Sequence, residues 1–248
     1  MTCADFEISA QVSAPALAQQ GASVGARIYG AVTATRAAVG QNTNLGIVLL
    51  CAPLAAAAER GDPLHHVLDT LTLDDAHECF AAIAIANPGG LGSTERHDVR
   101  SRTTAPLQVA MAEAADRDLI ARQYANGFAD IANLGLWRWR DARRCGLSPP
   151  ESATAVYLAF LQTWPDTHIA RKFGRETAEA VRREAKDRGL HLPGSQQARQ
   201  AFLLEWDTDL KARGLNPGTC ADLTVATLFV AFLAKFASNV LRPLRNSG

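Results

Sequence analysis

The segment Gly40–Ala58, GQNTNLGIVLLCAPLAAAA, decides how the rest of the chain is read. Its apolar part, from Leu45 to Ala58, is about 14 residues long and contains Pro53. That is too short to span a bilayer and suits a buried helix. Asn42, Thr43 and Asn44 stand directly before it. Two amides and a hydroxyl exceed what one helix cap uses. They are either punctuation or groups that hold something at the mouth of a buried helix.

Outward from this segment the same periodicity recurs. ASVGARIYGAVTATRAAV puts Val24, Ile28, Ala31 and Val32 on one helical face. TLDDAHECFAAIAIA opens with Thr72 and Asp75, the T-x-x-D form of a capping box. SPPESATAVYLAFLQTW places Ser148 at an N-cap, Pro149 at the first helical position and Glu151 two residues on. GRETAEAVRREAKDRG reads as a polar helix stopped by Gly189, and SQQARQAFLLEWDTDLKARG as an amphipathic one stopped by Gly214. CADLTVATLFVAFLAKFA is apolar on all sides. Period-two alternation and β-branched clusters are absent. These features predict an all-α fold, a single domain over residues 1–248 with about ten helices. The apolar helices Asn44–Glu59 and Cys220–Ala237 are expected at its centre, and the charged helix 175–188 outside.

Lys+Arg and Asp+Glu each number 25, so the chain carries no net charge. That argues against a nucleic-acid coat and against a polybasic membrane anchor. No basic segment followed by an apolar core opens the chain, so no signal peptide is visible. The five cysteines (Cys3, Cys51, Cys79, Cys145 and Cys220) are scattered and odd in number. They form no CxxC and no paired Cys/His spacing, which predicts reduced thiols and a cytoplasmic location. Phe229, Phe232 and Phe236 lie three and seven residues apart, a spacing that fits core packing or the face of a homodimer.

Four junctions between helices carry an excess of polar groups: NTNLG, NPGGLGSTERHDVR (87–100), WPDTHIARKFG (164–174) and NPGTCADL (216–223). Helix starts offer unpaired N–H groups and a positive dipole end, which suit phosphate. Each junction also has a plain reading. Asn42 or Thr43 serves as an N-cap; Thr219 with Asp222 is a capping box; NPGGLG is a turn-rich loop lacking the Lys-Ser/Thr of a P-loop; His97–Asp98 is a surface pair. Asp166 caps a helix with Arg171 and Lys172 on a solvated face. Asp116, Arg117 and Asp118 are exposed helix charges. Taken together, the junctions point further. His168 and Lys172 are helical neighbours, as are Arg171 and Arg175. A cationic, histidine-bearing turn beside Asp166 can grip a polyphosphate, with carboxylates holding Mg²⁺. No G-x-S-x-G elbow or dinucleotide fingerprint competes.

The same junctions resemble the triphosphoribosyl-dephospho-CoA synthase family. The resembling stretches are VGQNTNLGIVLLCAPLA, NPGGLG…RHDV, RDLIARQYANGFADI, PDTHIARKFG and NPGTCADLTVATLF, in order, from Val39 to Phe229. They look closer to the branch of archaea and methylotrophic bacteria than to the branch serving citrate lyase or malonate decarboxylase. The resemblance implies an all-α fold and ATP and dephospho-CoA as substrates. It also implies transfer of the triphosphoribosyl group of ATP to the ribose 2′-hydroxyl of 3′-dephospho-CoA, with release of adenine. The product is a prosthetic-group precursor. Family members begin with a Lys-Pro-Gly stretch upstream of a helix resembling DFEISAQVSAPAL; here Met1 stands almost at that helix, and the stretch is missing.

On this reading Arg171 and Lys172, with Mg²⁺, neutralise phosphates. Asp98, Asp166 and Asp222 ligate metal or act as general base. His97 or His168 donates a proton or binds phosphate. Asn42, Thr43, Asn44 and Asn216 orient ribose or phosphate oxygens. The backbone N–H groups of Gly89, Gly90 and Gly92 form an anion nest. The resemblance leaves other outcomes open. The methylotroph-like branch is associated with tetrahydromethanopterin metabolism, so the acceptor could be another cofactor precursor. The chain could be an ATP-dependent transferase or kinase in tetrahydromethanopterin- or methanofuran-type cofactor assembly. It could also be a non-catalytic nucleotide- or CoA-binding protein, or a helical scaffold.

Overall fold

The computed structural model describes residues 1–87, 105–192 and 194–233. Within them the chain is all-α. In order the helices are α1 (Cys3–Leu17), α2 (Val24–Val39), α3 (Leu45–Arg60), α4 (Leu64–Asp69), α5 (Leu73–Ala86), α6 (Leu107–Ala114) and α7 (Leu119–Asn126). A π-helical turn (Ile131–Gly135) then leads into α8 (Leu136–Arg144), α9 (Pro149–Thr163), α10 (Thr167–Phe173), α11 (Arg175–Leu190), α12 (Gln196–Ala212) and α13 (Gly218–Phe232). Thirteen α-helices among the described residues exceed the expected ten or so. Five of them are short: α4, α6, α7, α8 and α10 have 6, 8, 8, 9 and 7 residues. About two and a half turns or fewer carry too little periodicity to separate a helix from its flanking loops.

The two apolar segments lie at the centre, as their composition demands. α3 packs against α1, α2, α4, α5, α7 and α13, while α13 packs against α3, α7, α8, α9, α10 and the π-helical turn. Val48, Leu50, Leu54, Leu223, Ala226 and Val230 are fully buried. Each large aliphatic side chain removed from water contributes roughly 1.5–3 kcal/mol. The capping boxes expected at the starts of α5 and α9 form, Thr72 with Asp75 and Ser148 with Glu151. Gly189 does not stop its helix: α11 runs on through Leu190, and the Gln162 amide occupies the space that a Cβ on Gly189 would need.

Pro53 sits inside α3, where it lacks the N–H that would bond the carbonyl of Leu49 one turn earlier. A buried carbonyl without a partner is costly. The hydroxyl of Tyr124, on α7, donates to that carbonyl at 2.6 Å. A break in the central helix thus becomes an attachment point for α7. After α7 the chain turns sharply. Gly127 and Phe128 both have positive φ, 66° and 62°, and Phe128 is fully buried in that strained conformation. The turn delivers Asp130 back against α7.

Candidate active site

The starts of α3, α7, α10 and α13 meet at one place, and side chains bind them there. Asp166 is the N-cap of α10: its Oδ1 accepts the N–H groups of His168 (2.8 Å) and Ile169 (3.1 Å). Its Oδ2 accepts the N–H of Cys220, in the first turn of α13, at 2.8 Å. The hydroxyl of Thr167 accepts the N–H of Leu119, the first residue of α7, at 3.3 Å. It also bonds the hydroxyl of Thr219, on α13, at 3.1 Å. Asp118 caps α7 through the N–H groups of Ile120 and Ala121 and pairs with Arg171 of α10. Asp222 reaches from α13 to α3. Its carboxylate lies over Gly46, where a Cβ would come within 2.1 Å of Oδ2, beside the N–H of Ile47. Only glycine leaves room for that carboxylate.

Thr219 and Asp222 therefore do not form the local capping box that their spacing allows. The N-cap of α13 is Pro217, and both side chains look across to other helices. Asp118, read from sequence as an exposed charge, is a cap and an ion-pair partner. A glycine two residues into an otherwise apolar helix is the signal that exposes the Asp222 contact, since glycine there costs about 1 kcal/mol against alanine unless something needs the space.

The electrostatics are set by crowding. Burial pushes the carboxyl of Asp222 well above the ordinary carboxylate range; the charges of Asp166 and Asp118 push it further, and Arg171 and the Ile47 N–H oppose them. Asp222 keeps part of its surface exposed while its carboxylate is set against α3. Asp166 is wholly buried. Burial raises its pKa as well, against the pull of its three N–H donors. His168 moves the other way. Burial, then the charges of Lys172 and Arg171, lower it to about 4, so its imidazole is neutral at pH 7. The Nε2 of His168 and the Nε of Arg171 are buried with no hydrogen-bond partner among the described residues. Orphaned polar atoms of this kind cost roughly 1–3 kcal/mol each and mark where a ligand or water belongs.

The expected residues divide as follows. Asp166, His168, Arg171, Lys172 and Asp222 stand at or beside the junction. Gly218, two residues after Asn216, packs against the His168 ring. Asn216 itself is exposed. The N-cap position of α3 is Asn44, not Asn42 or Thr43, and its side chain makes no cap bond; Asn42 instead accepts the N–H of Leu45 at 3.1 Å. Thr43 bonds Ser9 of α1 at 2.5 Å, and Asn44 donates to Thr35 of α2 at 3.1 Å. Thr43 and Asn44 thus tie the start of α3 to α1 and α2. Gly89, Gly90, Gly92, His97 and Asp98 lie outside the described residues. A groove of about 1880 Å³ runs beside α9 and α12, lined by groups such as Tyr157, Leu158, Trp206 and Leu210. Of the expected residues it reaches only Asn216, so the charged groups gather elsewhere.

Among the described residues no group of three His, Cys, Asp or Glu side chains is placed to hold a metal ion. No helix of the described residues is long and apolar enough to cross a membrane. All five cysteines are free thiols.

The family model for ATP:dephospho-CoA triphosphoribosyl transferase matches residues 1–240. A solved structure from Archaeoglobus fulgidus, provisionally described as a triphosphoribosyl-dephospho-CoA synthase, superimposes with a TM-score of 0.70. It is 23% identical, over 94% of this chain and 98% of its own, and shows that the two share a fold. No curated protein sequence matches the chain.

Proposed function

Since the chain belongs to the ATP:dephospho-CoA triphosphoribosyl transferase family and is a transferase of that kind, we propose that the junction of α3, α7, α10 and α13 is where the transfer takes place. The observation that carries this is the set of bonds from Asp166, Thr167 and Asp222, which draws three of the four polar junctions together.

The ribose 2′-hydroxyl oxygen of dephospho-CoA attacks C1′ of the ATP ribose. The new C–O bond forms as the bond from C1′ to the adenine nitrogen breaks, and that nitrogen keeps the electron pair. Charge on the sugar in the transition state has oxocarbenium character. The hydroxyl proton goes to Asp222, whose affinity for a proton is raised by burial and by the neighbouring charges of Asp166 and Asp118. A proton is returned to the departing adenine, so the reaction is neutral in protons. Arg171, fixed by Asp118 and carrying a free Nε, and Lys172, exposed one residue on, face the triphosphate. Neutral His168 accepts or relays a hydrogen bond there. It does not serve as a standing cation.

Mg²⁺ is part of this reading. Asp166 spends both oxygens on backbone N–H groups, so the residues present fit an ion that arrives on the triphosphate better than one held by protein ligands alone. The surplus of carboxylates around Asp222 attracts such an ion, and Asp98 is a further candidate ligand. Bound there, it would offset phosphate charge. The chain acts as a cytoplasmic enzyme, and a homodimer through the α13 phenylalanines is compatible with Phe232, which is 68% exposed.

Incubation with ATP, Mg²⁺ and dephospho-CoA should yield free adenine and a triphosphoribosylated acceptor in equal amounts, measured by chromatography and mass spectrometry. ADP as the stoichiometric product would instead mark phosphoryl transfer and overturn the reading.

A further inference from the structure

Arg122 has no role in the site as described above, yet it is held more firmly than its position requires. It lies on α7 one turn beyond Asp118, whose carbonyl accepts its N–H at 2.9 Å. Residues so spaced share a helix face. Its Nε donates to Asp130 Oδ2 at 2.8 Å. Its guanidinium lies over the ring of Trp164, 5.5 Å from the centroid, and Trp164 comes two residues before Asp166. Asp130 does not depend on this arginine for satisfaction. Gln123 and Asn126 donate to the same oxygen at 2.7 Å and 3.0 Å. Trp164 is itself backed by Phe160, with ring centroids 6.2 Å apart and planes within 29°. The indole, held by Phe160, acts as a platform for the guanidinium.

The Nε edge and one face of Arg122 are thus occupied, while its Nη1 and Nη2 make no hydrogen bond among the described residues and the side chain is 43% exposed. A guanidinium fixed in plane, with its outer fork open, is the donor geometry that two phosphate oxygens accept together. Little rotamer freedom remains to be lost on binding.

We propose that Arg122, set by Asp130 and Trp164, is a pre-organised phosphate anchor at the rim of the transfer site. It grips either the triphosphate of ATP or the pyrophosphate of dephospho-CoA. The choice of these two ligands rests on the transferase reading; the anchor itself does not. Calorimetric titration of ATP, inorganic tripolyphosphate and dephospho-CoA into wild type and Arg122→Gln tests it without turnover. At least about a tenfold loss of affinity is expected for one class of probe, the usual scale for losing a charged hydrogen-bond pair. Loss for ATP and tripolyphosphate assigns the anchor to the donor; loss for dephospho-CoA alone assigns it to the acceptor. Arg122→Lys keeps the charge and should recover affinity only in part, because an ammonium cannot hold Asp130, the ring and a phosphate fork together. It also carries the test should the glutamine variant fail to fold. Unchanged affinity for all three probes in either folded variant overturns the proposal, as does a wild type that binds none of them. A wild type that binds the probes but releases no adenine would refute the transferase reading and leave the anchor standing.

Discussion

His168 is a residue whose chemistry is set by where the chain puts it. Its pKa of about 4 lies below the ordinary 6.5, so between these values the unfolded chain binds a proton that the folded one refuses. Stability contributed by this residue is complete above about pH 6.5 and is lost as pH falls towards 4. His168→Gln should therefore flatten the fall of Tm between pH 6.5 and 4 relative to wild type. Parallel Tm curves would mean the imidazole titrates normally. The direction of this shift was not legible in the sequence. Lys172 and Arg171 are visible as helical neighbours, but burial comes first among the causes, and burial depends on α13 lying over α10. For the same reason Asp222 looked like half of a local capping box. Its partners, Gly46 and Ile47, are far away in the chain.

At the scale of elements, the long helices and their two capping boxes could be read directly, because each is encoded within a few residues. The short helices and the π-helical turn could not, since tertiary contacts hold them more than local pattern does. α7 shows this. Its eight residues are fastened by Tyr124 to the Leu49 carbonyl that Pro53 leaves unpaired. Tyr124→Phe removes one hydroxyl from a buried site and strands that carbonyl. A loss of about 1–3 kcal/mol is expected. In a protein of this size that lowers Tm by roughly 2–4 °C for each kcal/mol. Adenine release at a temperature where the variant is folded should stay within about twofold of wild type, and thermal melts beside turnover assays check both. An unchanged Tm would show that water satisfies Leu49 as well as tyrosine does.

At the scale of the whole molecule, the sequence marked four polar junctions, and the fold brings three of them to one seam. The second, carrying His97 and Asp98, lies outside the described residues. What the sequence left open was how the polar residues divide between architecture and chemistry. Thr43 and Asn44 bind the start of α3 to its neighbours, and Asp166 fastens α10 to α13, whereas Asp222 combines a raised proton affinity with partial exposure. The central claim is that transfer occurs at this seam with Asp222 accepting the hydroxyl proton. Steady-state adenine release by Asp222→Asn tests it most directly. The account predicts a fall in kcat of about a hundredfold or more, within the range general-base catalysis supplies, with ATP affinity nearly retained. Wild-type turnover in a folded Asp222→Asn protein would contradict it.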